Sequence, residues 1–85
     1  MRELTFTIRD PRGMHDIPLG ALVRKLCSFK SAVQFSCSTG SCNGKSLPAM
    51  LRLTLRRNDS FALRFSGQDE QEALQQIQIL LQQYF

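Results

Sequence analysis

Phe61, Leu63 and Phe65 alternate with Ala62, Arg64 and Ser66, and beyond Gly67 the period changes. Ala73, Leu74, Ile77, Leu80, Leu81 and Tyr84 then recur at helical spacing. A period of two buries one face of a strand, and a period of 3.6 buries one stripe of a helix. A chain that switches between them so abruptly must lay a helix against a sheet. Asp69, with Glu72 three residues on, is the expected start of that helix, in a D-x-x-E pattern similar to a capping box.

The same switching runs through the rest of the chain. Leu4, Phe6 and Ile8 alternate with Thr5 and Thr7, which predicts a first strand with one buried face. DPRG at 10–13 is a turn signal, and Leu19, Leu22, Val23 and Leu26 place a helix over about 16–27 with Pro18 in its first turn. AVQFSC at 32–37 reads as a second strand through Val33 and Phe35. STGS at 38–41 reads as a turn, followed by a short third strand around 41–44. KSLPAMLRL at 45–53 predicts a short second helix with Ser46 as N-cap and Pro48 in the first turn, and RRNDS at 56–60 a turn before the last strand. The resulting order, β-α-β-β-α-β-α, belongs to the α+β class: a two-layer domain spanning 1–85, with helices on one face of the sheet. The opposite face carries threonines, serines and Gln34, and should meet solvent.

Eighty-five residues suffice for one core and are too few for two domains. With 42% apolar residues the chain has a globular composition, and no apolar run approaches the ~18 residues that span a bilayer. The opening MRELTFTIRD lacks the continuous apolar stretch of a signal peptide, so the expectation is a soluble, cytoplasmic protein without membrane insertion. Cys27, Cys37 and Cys42 are odd in number and form no CxxC pair. They read as buried or half-buried free thiols in a reducing compartment, with no metal site and no cofactor. The net charge is +4, and no basic residue follows Arg64, whereas Asp69, Glu70 and Glu72 do. A basic face suits an acidic partner surface or a phosphate. A nucleic-acid partner is not expected, because the chain has no recognised binding motif, one tyrosine and no tryptophan.

Residues 13–18, GMHDIP, hold His15, the one histidine of the chain, at or beside the expected helix N-cap. Unpaired N–H groups and the positive end of the helix dipole disfavour an imidazolium there and favour a bound anion. A neutral imidazole nitrogen is a competent nucleophile, and Gly13 permits close approach of the preceding loop. On position alone, an ordinary turn histidine is the simpler reading. Ser46 is similarly double: an N-cap worth about 1 kcal/mol accounts for it, while a phosphate on its hydroxyl would meet the same helix-terminus field beside Lys45. Arg12, Arg24, Arg56 and Arg57 could form a basic rim if the fold gathers them.

Taken together, Gly13-Met14-His15 with Pro18, Phe29 after the first helix, Lys45-Ser46-Leu47 and Gly67-x-Asp69-Glu70 stand at mutual distances that resemble the HPr family. These are the histidine-containing phosphocarriers of the bacterial sugar phosphotransferase system, and the likeness runs over all 85 residues. It implies an open-faced β-sandwich: a four-stranded antiparallel sheet and three helices. It further implies that His15 takes a phosphoryl group at Nδ1 from enzyme I, which draws it from phosphoenolpyruvate, and passes it to enzyme IIA domains. The chain would then be a monomeric phosphoacceptor rather than a stand-alone enzyme. Ser46 would be the target of a regulatory ATP-dependent kinase, and Arg12, Arg24 and Lys45 would contact phosphate or partner. A regulatory adaptor of the same family, acting on a transcription regulator through Ser46 and the basic face, is the alternative.

Around the histidine the chain departs from the family pattern of histidine, small residue, arginine, proline. Here the run is His15-Asp16-Ile17-Pro18. A charge-assisted hydrogen bond of roughly 1.5–3 kcal/mol is lost with the arginine, and Asp16 sets a negative charge beside a group due to become dianionic. The expectation is a His15 that accepts phosphate poorly for the family, unless Arg12 or Arg24 compensates. Thr54 and Asn58 stand where glycines are common; the asparagine tolerates a left-handed backbone at lower cost than the threonine.

Overall fold

The computed structural model describes residues 1–13, 16–53 and 55–85, with Asp16 and Ile17 as backbone only. Expectations that fall on Met14, His15, Thr54 and the side chains of Asp16 and Ile17 lie outside the described residues.

The elements follow in the expected order: β1 (Arg2–Thr7), α1 (Asp16–Cys27), β2 (Ala32–Cys37), β3 (Gly40–Asn43), α2 (Leu47–Leu51), β4 (Ser60–Ser66) and α3 (Glu70–Tyr84). The strands make one antiparallel sheet in the order β1-β4-β2-β3. Its register explains the alternation. Leu4 pairs with Leu63 and Phe6 with Phe61. Across the other edge of β4, Phe35 pairs with Leu63 and Val33 with Phe65. These side chains share one face, where the Phe35 and Phe61 rings stack with centroids 4.9 Å apart. Leu19, Leu22, Val23 and Leu26 of α1, Met50 of α2, and Ala73, Ile77 and Leu81 of α3 close over them to complete a single core. The other face carries Thr5, Gln34 and Arg64, all exposed, with Arg64 Nε donating to Glu3 Oε2 at 2.9 Å.

Three expectations are corrected. The second helix is shorter than 45–53. Ser46 takes the N-cap with extended backbone, which leaves Lys45 outside, and Arg52 is already the C-cap. The capping box at Asp69 does not form: Asp69 is the N-cap but makes no side-chain cap bond. Its carboxylate accepts instead from the backbone N–H groups of Lys30 and Ser31, at 2.8 and 2.9 Å, and from the Ser31 hydroxyl. Glu72 accepts from Gln76 Nε2, one turn on, and Glu70 accepts the Gly67 N–H at 3.3 Å. Finally, Tyr84 is 46% exposed; the end of the apolar stripe is filled by Phe85, 3% exposed.

Candidate phosphoacceptor site

The site is built from the loop that leads into α1. Gly13 is buried at φ 70°, and its N–H donates to the Asp10 carbonyl at 2.9 Å. A Cβ at this position would lie 2.5 Å from the Leu55 carbonyl oxygen and 3.0 Å from the Arg56 Cα. Only glycine permits this approach, since the close contacts are backbone atoms and the φ is one that side chains disfavour. The loop before α1 is thereby pressed onto the segment that follows α2.

That second segment is itself held in place. The Ile8 N–H donates to the Asp59 carbonyl at 2.9 Å, and the Asn58 N–H donates to the Ile8 carbonyl at 2.8 Å. Asn58 has φ 75°, the left-handed backbone expected where glycine is common. The Asp59 carboxylate accepts the Arg56 N–H at 2.9 Å. On the other side, the Arg9 guanidinium donates to the Gln82 carbonyl at 3.1 Å, a cation on the last turn of α3, where the helix carbonyls favour it.

The basic residues are placed unevenly. Arg12 is exposed, and its guanidinium donates to both Asp10 carboxylate oxygens, from Nε at 3.4 Å and from Nη2 at 3.3 Å. Arg24 is in the last turn of α1, eight residues from Asp16, or roughly 12 Å along the helix axis. Lys45 is half-buried, and its Nζ donates to the Phe29 carbonyl at 2.7 Å, bracing the loop after α1. Its neighbour Ser46 is half-buried, and its hydroxyl accepts the Ala49 N–H at 3.4 Å, a long capping bond. The Arg56 backbone, in contact with Gly13, is the basic position that the fold brings beside the loop ahead of His15. Spacing alone cannot show it, because the contact joins segments on either side of two helices and two strands.

The thiols are free; Cys37 and Cys42 are half-buried as expected, whereas Cys27 is exposed and lies 3.5 Å from the Lys45 carbonyl. Burial, and secondarily the nearby Cys37, push the Cys42 thiol up from its ordinary value. Among the described residues no three His, Cys, Asp or Glu side chains converge as metal ligands, and no helix is long and apolar enough to cross a membrane.

This geometry has known counterparts. The family profile described as the PTS HPr component phosphorylation site matches residues 2–83. The phosphocarrier protein HPr of Lysinibacillus sphaericus is 33% identical over 81 residues, covering 95% of this chain and 92% of the relative. That of Mycoplasma genitalium is 32% identical, covering 96% and 94%. The crystal structure of HPr-C-His from Thermoanaerobacter tengcongensis superposes with a TM-score of 0.89 at 26% identity, over 96% of this chain and 92% of that one. The sheet order, the three helices and the matched residues span the same stretch of sequence, so the chain belongs to the HPr family of phosphocarrier proteins of the phosphotransferase system.

Proposed function

We propose that this chain carries phosphoryl groups in the phosphoenolpyruvate-dependent phosphotransferase system, taking them on His15 from enzyme I and passing them to enzyme IIA domains. The support is positional. His15 immediately precedes Asp16, the first residue of α1, and a helix of 12 residues offers unpaired N–H groups and positive potential at that end. A neutral imidazole nitrogen attacks phosphorus, the P–N bond forms as the bond to the donor breaks, and the reverse exchange delivers the group to the next acceptor. Transfer is slower than in family members with an arginine after the small residue, because Ile17 offers no donor and Asp16 adds negative charge. The protein works as a cytoplasmic monomer, and the phosphoryl group is its cargo.

Incubation with enzyme I and phosphoenolpyruvate, followed by intact mass, tests this reading. The expected result is one acid-labile phosphoryl group per chain, acquired slowly and absent from His15→Ala. No label at all overturns the carrier role; rapid stoichiometric labelling overturns the reduced efficiency.

A regulatory reading rests on Ser46. Its capping bond is long, it is half-buried, and Lys45 is its neighbour, so a phosphate at this hydroxyl displaces little. A matching serine kinase and ATP should modify the chain but not Ser46→Ala. Modification elsewhere removes Ser46 from this role.

A further inference from the structure

We infer that Arg56 is the residue that holds the phosphoryl group on His15, an inference that rests on the carrier reading above. A phosphohistidine carries close to two negative charges and several strong acceptor oxygens, and Asp16 next in sequence adds a third charge. A cation has to meet them. Arg12 spends its charge and two of its donors on Asp10. Lys45 donates to the Phe29 carbonyl. Arg24 lies in the last turn of α1, at the end away from His15.

Arg56 differs from all three. Its backbone is fixed by two bonds with Asp59, at 2.9 and 3.0 Å, and its guanidinium has no hydrogen bond or ion pair to a described residue. The Arg56 Cα lies 3.0 Å from where a Gly13 side chain would begin. His15 is two residues beyond Gly13, so covalent geometry keeps their Cα atoms within about 7 Å. An arginine side chain spans that gap, and its planar fork suits phosphate oxygens better than a lysine's point charge does. The Gly13 contact therefore does more than pack the loop: it sets the backbone of Arg56, whose guanidinium has no partner among the described residues, within a side chain's reach of the position two residues beyond Gly13.

The test uses phosphoramidate to phosphorylate the full chain chemically, so that docking to enzyme I plays no part. Phosphorus NMR then follows the second ionisation of the phosphohistidine. A nearby cation favours the dianion, so Arg56→Ala should raise that ionisation by roughly half to one pH unit. Arg56→Lys should raise it less, and Ile17→Arg in the Arg56→Ala background should bring it back down. Arg57→Ala, one residue further along the turn, should leave it unchanged. With enzyme I and phosphoenolpyruvate at a fixed ratio to pyruvate, Arg56→Ala should lower the equilibrium constant for phosphorylation about tenfold. An Arg56→Ala chain that titrates and equilibrates like the parent overturns the assignment of Arg56 and leaves the carrier reading standing. A parent chain that takes phosphate on His15 from neither reagent overturns both.

Discussion

Two glycines press against backbone at opposite ends of α1, and the surroundings of each differ in one respect. At the far end, a Cβ on Gly67 would lie 2.7 Å from both the Cα and the Oγ of Ser31. Ser31 is fully buried, and its N–H, its hydroxyl and the Lys30 N–H all donate to the Asp69 carboxylate. At the near end, Gly13 presses equally hard on Leu55 and Arg56, but Arg12 and Arg56 are exposed, and the guanidinium of Arg56 has no partner among the described residues. The first junction is saturated and holds the fold. The second uses the same close approach to set the Arg56 backbone beside the loop ahead of His15. A site is recognised here less by its shape than by interactions left open.

The largest expected effect is at the saturated junction. Gly67→Ala puts a methyl group into the Ser31 backbone, at a φ of 157° that side chains rarely adopt, and Ser31 is pinned by Asp69. The loss should be about 3 kcal/mol in urea unfolding. The fraction that remains folded should take phosphate at the parental rate; a slower rate would mean the two ends are coupled.

Gly13→Ala should cost less, about 2 kcal/mol. Its φ of 70° is in the left-handed region that a side chain enters at moderate cost, and the Leu55–Arg56 segment is irregular and can shift by tenths of an ångström. The contrast with Gly67 lies in the functional consequence. Displacing Arg56 should slow phosphorylation of the folded chain, as unfolding and mass measurements on the same sample will report. A Gly13→Ala protein that is less stable but labels normally would reduce the near junction to packing alone.

The saturated junction also has a pH signature. The Ser31 hydroxyl first, then the backbone N–H groups of Lys30 and Ser31, hold the Asp69 carboxyl below its ordinary value. The folded chain thus binds this proton less readily than the unfolded chain. The stabilisation is complete above the ordinary aspartate range and is lost as pH falls through the lowered value, in the region below about pH 4. Asp69→Asn should lower Tm at neutral pH and flatten the acid limb of the stability curve. Parallel curves for the two chains would show that the carboxylate does not close this junction.

Much of this was legible in the sequence, and the exceptions share a cause. The bounds of α1 at 16–27 and β2 at 32–37 follow from local periodicity, as do the strand order along the chain and the Ser46 cap. The Asp69 capping box fails because a carboxylate at a helix start has local and distant donors in competition, and the turn after α1 supplies three from across the fold. Tyr84 and Phe85 exchange roles because the stripe continues one residue past the helix to the position that still faces the core. Arg12, Arg24, Arg56 and Arg57 are equal candidates for a basic rim, and spacing cannot choose among them, because the contact of Arg56 with Gly13 joins residues far apart in the chain. Local pattern fixes which groups exist and on which element; it carries no information about which groups a tertiary contact has already engaged.

Ser46 gives the smallest predicted effect and the finest test of this distinction. Its hydroxyl caps α2 through a 3.4 Å bond to the Ala49 N–H, and the helix it starts is five residues long. A bond of that length adds little, so Ser46→Ala should cost roughly 0.5 kcal/mol, at the low end for an N-cap. Ser46→Asp should recover the loss, since a carboxylate both caps and complements the helix N-terminus. Were Ser46→Ala to cost ~2 kcal/mol instead, the hydroxyl would be as fully engaged in the fold as the Asp69 carboxylate is, and a phosphate there would disrupt α2. A small cost leaves Ser46 on the open side of the comparison: a hydroxyl that caps α2 weakly and whose loss the fold tolerates.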